Sequence, residues 1–237
     1  MIVAGAACLV IGIAHTAVAA PSCVDARRSG SMVLSDLHHL VTTQLVPLGA
    51  GLAGAALVHP LDDNADRWVD ARPPSHLTRV GRLAGGWQVQ GPLIGGVLID
   101  SFVEHCVRPT SDDLLRALAV NEGVTYAIKV SVRRERPDHE SAHVSFPSGH
   151  VSSTFAIATV LQEHLGWRAG LAGYGLATYT AWTRVRDDKH WISDTVFGGA
   201  LGIAGGRAVL RTGRATRWRI VPSAGREGAA VLVVRNN

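Results

Sequence analysis

Gly198, Gly202 and Gly206 recur every four residues inside a charge-free run, 195–206, whose other members are Thr, Val, Phe, Ala, Leu, Ile and Gly. Residues four apart share one face of an α-helix, so this spacing lays a groove without side chains along the helix and lets a second backbone approach very closely. A chain organised around such a contact packs helix on helix. Helices are expected over Ser193–Leu210, over the Gly- and Ala-rich Arg168–Trp182, and over Asp112–Val132 with Ser111 as cap. Leu83–Val103 is apolar but interrupted by paired glycines and by Gln88, Gln90 and Asp100, and is expected to pack inside protein. The charge-free Leu40–Val58 carries Thr42, Thr43, Gln44 and Pro47 and much Gly and Ala, and reads as a buried bundle helix in preference to a membrane span. Within it, Gly49–Gly54 fits the spacing of a dinucleotide-binding turn, but no strand precedes it and no βαβ alternation surrounds it. Close helix packing explains those glycines better. Asp62–Pro74 is polar and reads as a surface connection.

Three clusters carry chemistry. In Thr183–Asp194, His190 and Asp194 are four residues apart, which on a helix places them on one face, where a carboxylate can hold an imidazole in one tautomer and leave its other nitrogen free to attack an electrophile. Pro147-Ser148-Gly149-His150 precedes an apolar helical run, with Ser148 as expected N-cap. The first N–H groups of a helix have no internal partner and, with the dipole, form an anion site; Gly149 allows close approach, and His150 stands where an imidazolium can give a proton to a leaving group. Upstream, Lys129 and Arg136 are seven residues apart, on one side of a helix expected to end near Pro137. With Arg184 they make three fixed cations, the charge that a phosphoryl group and its transition state require.

In order, Lys129–Pro137, Pro147–His150 and Arg184–Asp194 resemble the three signature motifs of the type 2 phosphatidic acid phosphatase (PAP2) superfamily, which includes bacterial acid phosphatases and vanadium haloperoxidases. The third motif of that family usually opens on Ser, where this chain has Thr183; the hydroxyl is retained. The resemblance covers roughly residues 77–210. It implies an all-α bundle of about six core helices with the motifs converging at one end, His190, His150 and Asp194 as catalytic residues, and Lys129, Arg136, Ser148, Gly149 and Arg184 as phosphate ligands. It also implies hydrolysis of a phosphomonoester or diphosphate through a phosphohistidine, with no cofactor and no metal.

Residues outside the motifs bound the setting. Met1–Ala20 is uncharged and ends in Ala17-Val18-Ala19-Ala20-Pro21, which reads as a secretory signal peptide ahead of a single domain, 21–237. Secretion would leave Cys23 and Cys106 in an oxidising compartment, where a disulfide between them is an open expectation. The net charge of +4, with scattered basic residues, is unlike a nucleic-acid binder. With 18% charged residues, a periplasmic or secreted bundle, associated with a membrane surface, is favoured over an integral one. His139 and His143 have metal-ligand spacing but no obvious third ligand, and read as part of a polar loop over the site. Arg207, Arg211, Arg214, Arg217 and Arg219 form a basic stripe, a solvated face or one set against anionic headgroups. Arg217–Pro222 and Ala230–Val234 look like a short terminal β-hairpin. The substrate class stays open between a phosphorylated lipid and a small phosphomonoester. Two other readings share the motifs: a vanadium-dependent haloperoxidase and a non-catalytic protein that binds a phosphorylated ligand.

Overall fold

The computed structural model describes residues 23, 24, 26–64, isolated positions between 79 and 99, 108–138, 144–225 and 228–235. The expected signal peptide, Cys8, Cys106, the loop histidines His139 and His143, and most of Leu83–Val103 lie outside the described residues. Among the described residues there are six α-helices: α1 (Ala26–Thr43), α2 (Leu45–Val58), α3 (Pro109–Val132), α4 (Gly149–Leu165), α5 (Trp167–Arg186) and α6 (Ile192–Arg217). A 3₁₀ segment, His59–Asn64, follows α2. The chain closes in an antiparallel hairpin of β1 (Trp218–Gly225) and β2 (Gly228–Arg235), with Trp218 opposite Arg235 and Gly225 opposite Gly228.

Helix α6 is the axis of the bundle and touches all five other helices. Its glycine stripe meets α4. A Cβ added at Gly202 would stand 2.2 Å from the Ser152 carbonyl oxygen, one at Gly198 2.9 Å from the Ser148 carbonyl oxygen, and one at Gly206 2.8 Å from the Thr159 Cβ. On another face α6 receives α2, where a Cβ on Gly51 would fall 2.2 Å from that of Ala200. Around these contacts Leu40, Leu114, Ala117, Val120, Val160, Ala204, Ala208 and Val209 form the main core. A second core of Ala55, Phe197 and Leu201 lies toward the motifs, with Phe146 stacked on Phe197 at 4.9 Å.

Polar bonds set the register of α3 on α4: Asn121 Nδ2 donates to Ser152 Oγ at 3.0 Å, Thr125 and Ser152 share a hydroxyl bond of 3.1 Å, and Ser153 Oγ donates to Glu122. At the far end Arg116 is buried among Asp36 (2.6 Å), Asp112 (2.9 Å) and Asp113 (2.6 Å), and Asp113 also meets His164 at 2.8 Å. A buried guanidinium needs such pairing, since an uncompensated charge there would be strongly destabilising.

Three helix ends and the burial of one helix differ from the sequence expectation. Helix α3 begins at Pro109, with Arg108 as N-cap, because proline at the first helical position has no N–H to leave unsatisfied. It ends at Val132, where Arg133 turns left-handed at φ 51°, so Arg136 lies beyond it and not on its surface. Helix α5 runs on to Arg186 and carries Thr183 and Arg184 in its final turn. Helix α2 is not a buried bundle helix. Only Gly51 and Ala55 are buried, where small residues let α2 approach α6 closely; Leu48 packs half-buried against the core, while Leu45, Val46, Leu52 and Leu57 are exposed. Leu45–Asp62 is the one helical stretch among the described residues long and apolar enough to cross a membrane.

The glycine contact gives a direct stability prediction. Gly202→Ala should destabilise the protein by about 1–3 kcal/mol through overpacking against backbone. Gly175→Ala, on open helix surface, should be neutral or stabilising by up to about 1 kcal/mol. Urea unfolding of the two variants beside the parent checks both signs.

Candidate active site

Two helices enter the site by their N-termini and two by their C-termini. Helix α4 starts at Gly149, and its first internal bond is Ser152 N–H to Ser148 C=O at 3.0 Å, so the N–H groups of Gly149, His150 and Val151 precede the ladder. Ser148 is the N-cap by position, but its hydroxyl makes no cap bond and its own N–H is donated to the Asp194 carbonyl at 3.1 Å. The N–H of Ser148, one of the phosphate ligands expected above, is therefore not available to an anion; its buried hydroxyl is the available donor. Lys129, in the last turn of α3, lies beside Gly149, whose added Cβ would be 3.9 Å from the lysine Cε, and donates to the carbonyls of Val144 (2.5 Å) and Ser145 (3.3 Å).

His190 is not on the helix with Asp194. It occupies the turn before α6, where its N–H and that of Lys189 bond the Arg184 carbonyl at 3.2 and 3.1 Å and close the end of α5. Asp194 is in the first turn of α6, a favourable place for a carboxylate at a helix N-terminus. The two still meet: His190 Nδ1 is 3.6 Å from Asp194 Oδ2, a contact longer than a hydrogen bond. His190 is 3% exposed and Asp194 fully buried. Lys189 Nζ pairs with Asp138 at 2.6 Å, and the Asp138 N–H bonds the Asp188 carbonyl at 3.0 Å, which joins the first and third motifs.

The structure thus brings Lys129, Arg136, Ser148, Gly149, His150, Arg184, His190 and Asp194 to one end of the bundle. Among the described residues Ser148 Oγ and Arg136 Nε are buried without a hydrogen-bond partner. Buried polar atoms are seldom left unsatisfied, and phosphate oxygens would supply what both require. The charges shape the site's proton affinities. Burial, then Arg184, His190, Arg136 and Lys129, pushes His150 down to about 3. Burial also pushes His190 down to about 4, with Asp194 opposing and Lys129 and Arg184 reinforcing. Lys129 falls to about 8, through burial first and Arg136 second. Burial works against ionisation of Asp194, but His190, the Ser145 hydroxyl and Arg134 outweigh it and hold this carboxyl below its usual value. The site is therefore strongly cationic around two neutral imidazoles.

The PAP2 superfamily model matches residues 113–218. The decaprenylphosphoryl-5-phosphoribose phosphatase of Mycobacterium tuberculosis is 30% identical over 139 residues, spanning 48% of this chain and 77% of that protein. This chain belongs to the PAP2 superfamily. The lipid A 1-phosphatase of Porphyromonas gingivalis is 39% identical over 89 residues, 36% of this chain, and the match spans only 20% of that relative. The fold of this PAP2 protein is also that of the crystal structure of a transmembrane PAP2-type phosphatidylglycerolphosphate phosphatase from Bacillus subtilis. That likeness has a TM-score of 0.57 at 21% identity and covers 76% of this chain and 96% of the other.

Three residues of this PAP2 site were not singled out by sequence. Ser145 donates to Asp194 Oδ2 at 2.5 Å; Arg134 donates to Asp194 Oδ1 at 2.7 Å and to Asp62 Oδ2 at 2.8 Å. Arg134 sits two residues before Arg136, close enough for the first motif to have flagged it. Asp62 belongs to a stretch read as a surface connection, yet it is 1% exposed and bonded to Ser193 through both N–H (3.1 Å) and Oγ (2.5 Å). No local signal marks it, because its partners are distant in sequence. Cys23 is disulfide-bonded, to a partner outside the described residues.

The two depressed imidazoles make stability depend on pH with a definite sign. Between about pH 6.5 and 4 the unfolded chain binds protons on His150 and His190 that the folded protein refuses, so stability falls as pH drops through that window. The stabilising contribution of Asp194, whose pKa is lowered, is lost only at more acid pH. A His150→Asn/His190→Asn double variant should lose less stability than the parent between pH 6.5 and 4, measured by urea unfolding across that range.

Proposed function

We propose that this protein is a phosphatase that hydrolyses a phosphomonoester or diphosphate of a lipid through a phosphohistidine on His190, without a metal ion. The observation that carries the reading is a buried, neutral His190 set against Asp194 inside a ring of Lys129, Arg136 and Arg184 at the N-terminus of α4. With Nδ1 turned to Asp194, Nε2 is the nucleophile. It attacks phosphorus in line, the bond to the leaving oxygen breaks, and His150 gives that oxygen a proton. Water, giving its proton back to His150, then attacks phosphorus, and the P–N bond breaks to release phosphate and restore His190. The three cations, the Ser148 hydroxyl and the first N–H groups of α4 hold the oxygens throughout.

His150 is neutral in the free protein at pH 7, so its acid role depends on the substrate. The negative charge of a bound phosphoryl group offsets the cations that depress it and draws a proton onto the ring. A lipid is favoured because the exposed apolar face of α2 runs directly into the 3₁₀ segment whose Asp62 bonds Ser193, beside the site. The apolar surface and the phosphate site therefore meet at one end of the molecule. The names of the mycobacterial and Porphyromonas relatives, each a phosphatase of a lipid phosphate, support the same class. In this reading residues 21–237 form one domain that follows a signal peptide, 1–20, and works at the outer face of a membrane.

The full-length protein in EDTA should release phosphate from dispersed phosphatidate faster than from a soluble aryl phosphate, and His190→Ala should lower that rate by at least about 1,000-fold. A metal requirement, or a variant that keeps most of its activity, would overturn the mechanism. For the free protein, kcat/KM should rise through about pH 4 as His190 loses its proton and fall through about pH 8 as Lys129 loses its charge. In Lys129→Arg the alkaline limb should move to higher pH while the acid limb stays, since a guanidinium keeps its proton.

A further inference from the structure

Asp194 is held on every side. Its Oδ1 accepts from Arg134 Nη1 at 2.7 Å, and its Oδ2 accepts from Ser145 Oγ at 2.5 Å and from the Trp191 N–H at 3.0 Å. Arg134 is itself forked between two carboxylates: Nη1 meets Asp194 and Ser193 Oγ (2.6 Å), and Nη2 meets Asp62 (2.8 Å), with the guanidinium 5.3 Å over the Trp191 ring. Asp62 and Asp194 are both nearly inaccessible to solvent. A lone arginine against Asp194 would cancel the charge that His190 needs when its ring becomes cationic on phosphorylation. A second carboxylate on the same arginine leaves the Asp62–Arg134–Asp194 triad with one net negative charge, facing the imidazole.

We infer that Asp62 and Arg134 are positioning residues for the His190–Asp194 pair: Arg134 fixes the Asp194 carboxylate, and Asp62 balances Arg134 so that Asp194 keeps its charge for the ring. This rests on the reading of His190 as nucleophile. Among the described residues the charged and titratable groups around His190 are Asp194 of α6, Lys129 of α3, His150 of α4, Arg184 of α5, Arg134 and Arg136 of the loop after α3, Asp62 of the 3₁₀ segment and the adjacent Lys189, which pairs with Asp138. Only Asp62 and Arg134 act through Asp194, which gives them opposite signatures. Without the Asp62 charge, Arg134 bears on Asp194 alone and His190 holds a proton less readily. Without the Arg134 charge, two carboxylates face the ring and His190 holds a proton more readily.

The test compares Asp62→Asn, Arg134→Gln and the double variant in the full-length protein, with the His190 ring titrated by NMR without substrate and with kcat and KM measured separately. His190 should titrate at lower pH in Asp62→Asn, at higher pH in Arg134→Gln, and close to the parent in the double variant. Each single change should lower kcat by about 10–100-fold with KM little altered, and the double variant should recover part of the loss. Unmoved or same-direction titrations, with activity falling only as the melting temperature falls, would reduce both residues to structural supports and overturn the inference. If Asp62→Asn does not fold, Arg134→Gln beside Arg134→Lys decides, because the lysine keeps the charge and should leave the titration near that of the parent. A parent without phosphatase activity would remove the proposed reaction, while the ring titrations would still decide whether the charge relay exists.

Discussion

The contact between α4 and α6 governs the rest of the molecule. Because Gly198, Gly202 and Gly206 have no side chains, the α4 backbone comes down onto α6 at Ser148, Ser152 and Ala156 in turn, and the two helices run parallel. Their N-termini therefore reach the same end of the bundle. There the Ser148 N–H bonds the Asp194 carbonyl, so the turn that carries His150 is tied to the turn whose carboxylate faces His190. Any separation of these helices would open that bond and part the two halves of the candidate site.

Helix polarity extends the same logic to charge. The two helices that arrive N-terminus first present unpaired N–H groups and Asp194, while α3 and α5 arrive C-terminus first, with Lys129 and Arg184 in their last turns. Both placements are the favourable ones for a helix dipole. The cations at this end also deter protonation of the two histidines among them. In the proposed reaction that suits a nucleophile, which must be neutral, and obliges the acid to take its proton only once a substrate's charge has arrived. Asp62 sets a second buried carboxylate against Arg134, behind Asp194.

The motif residues were legible as a group because the motifs fix residue type and spacing: Lys129, Arg136, Ser148, Gly149, His150, Arg184, His190 and Asp194 all stand at one end of the bundle. The terminal hairpin and several helices were likewise readable from residue pattern, and the all-helical bundle from the resemblance to the PAP2 superfamily. Local geometry was read less well. His190 and Asp194 meet across a turn and not along a helix, Arg136 lies past a helix ended by the left-handed Arg133, and the Ser148 N–H bonds protein. Spacing says that two side chains are close, but many backbone paths satisfy the same spacing.

By itself, then, the sequence determined the family and, through it, the class of fold, since three motifs of fixed residue type and spacing admit few readings. Tertiary structure decided which face of α2 is covered, the one that carries Gly51 and Ala55 and lies against α6. It also decided that Asp62, polar and unremarkable in its own segment, is buried against Ser193 and Arg134, residues more than seventy positions away. The physical reason is the same in both cases. Hydrophobic pattern and local spacing are properties of a few neighbouring residues, whereas burial and charge balance depend on what the folded chain brings to the other side.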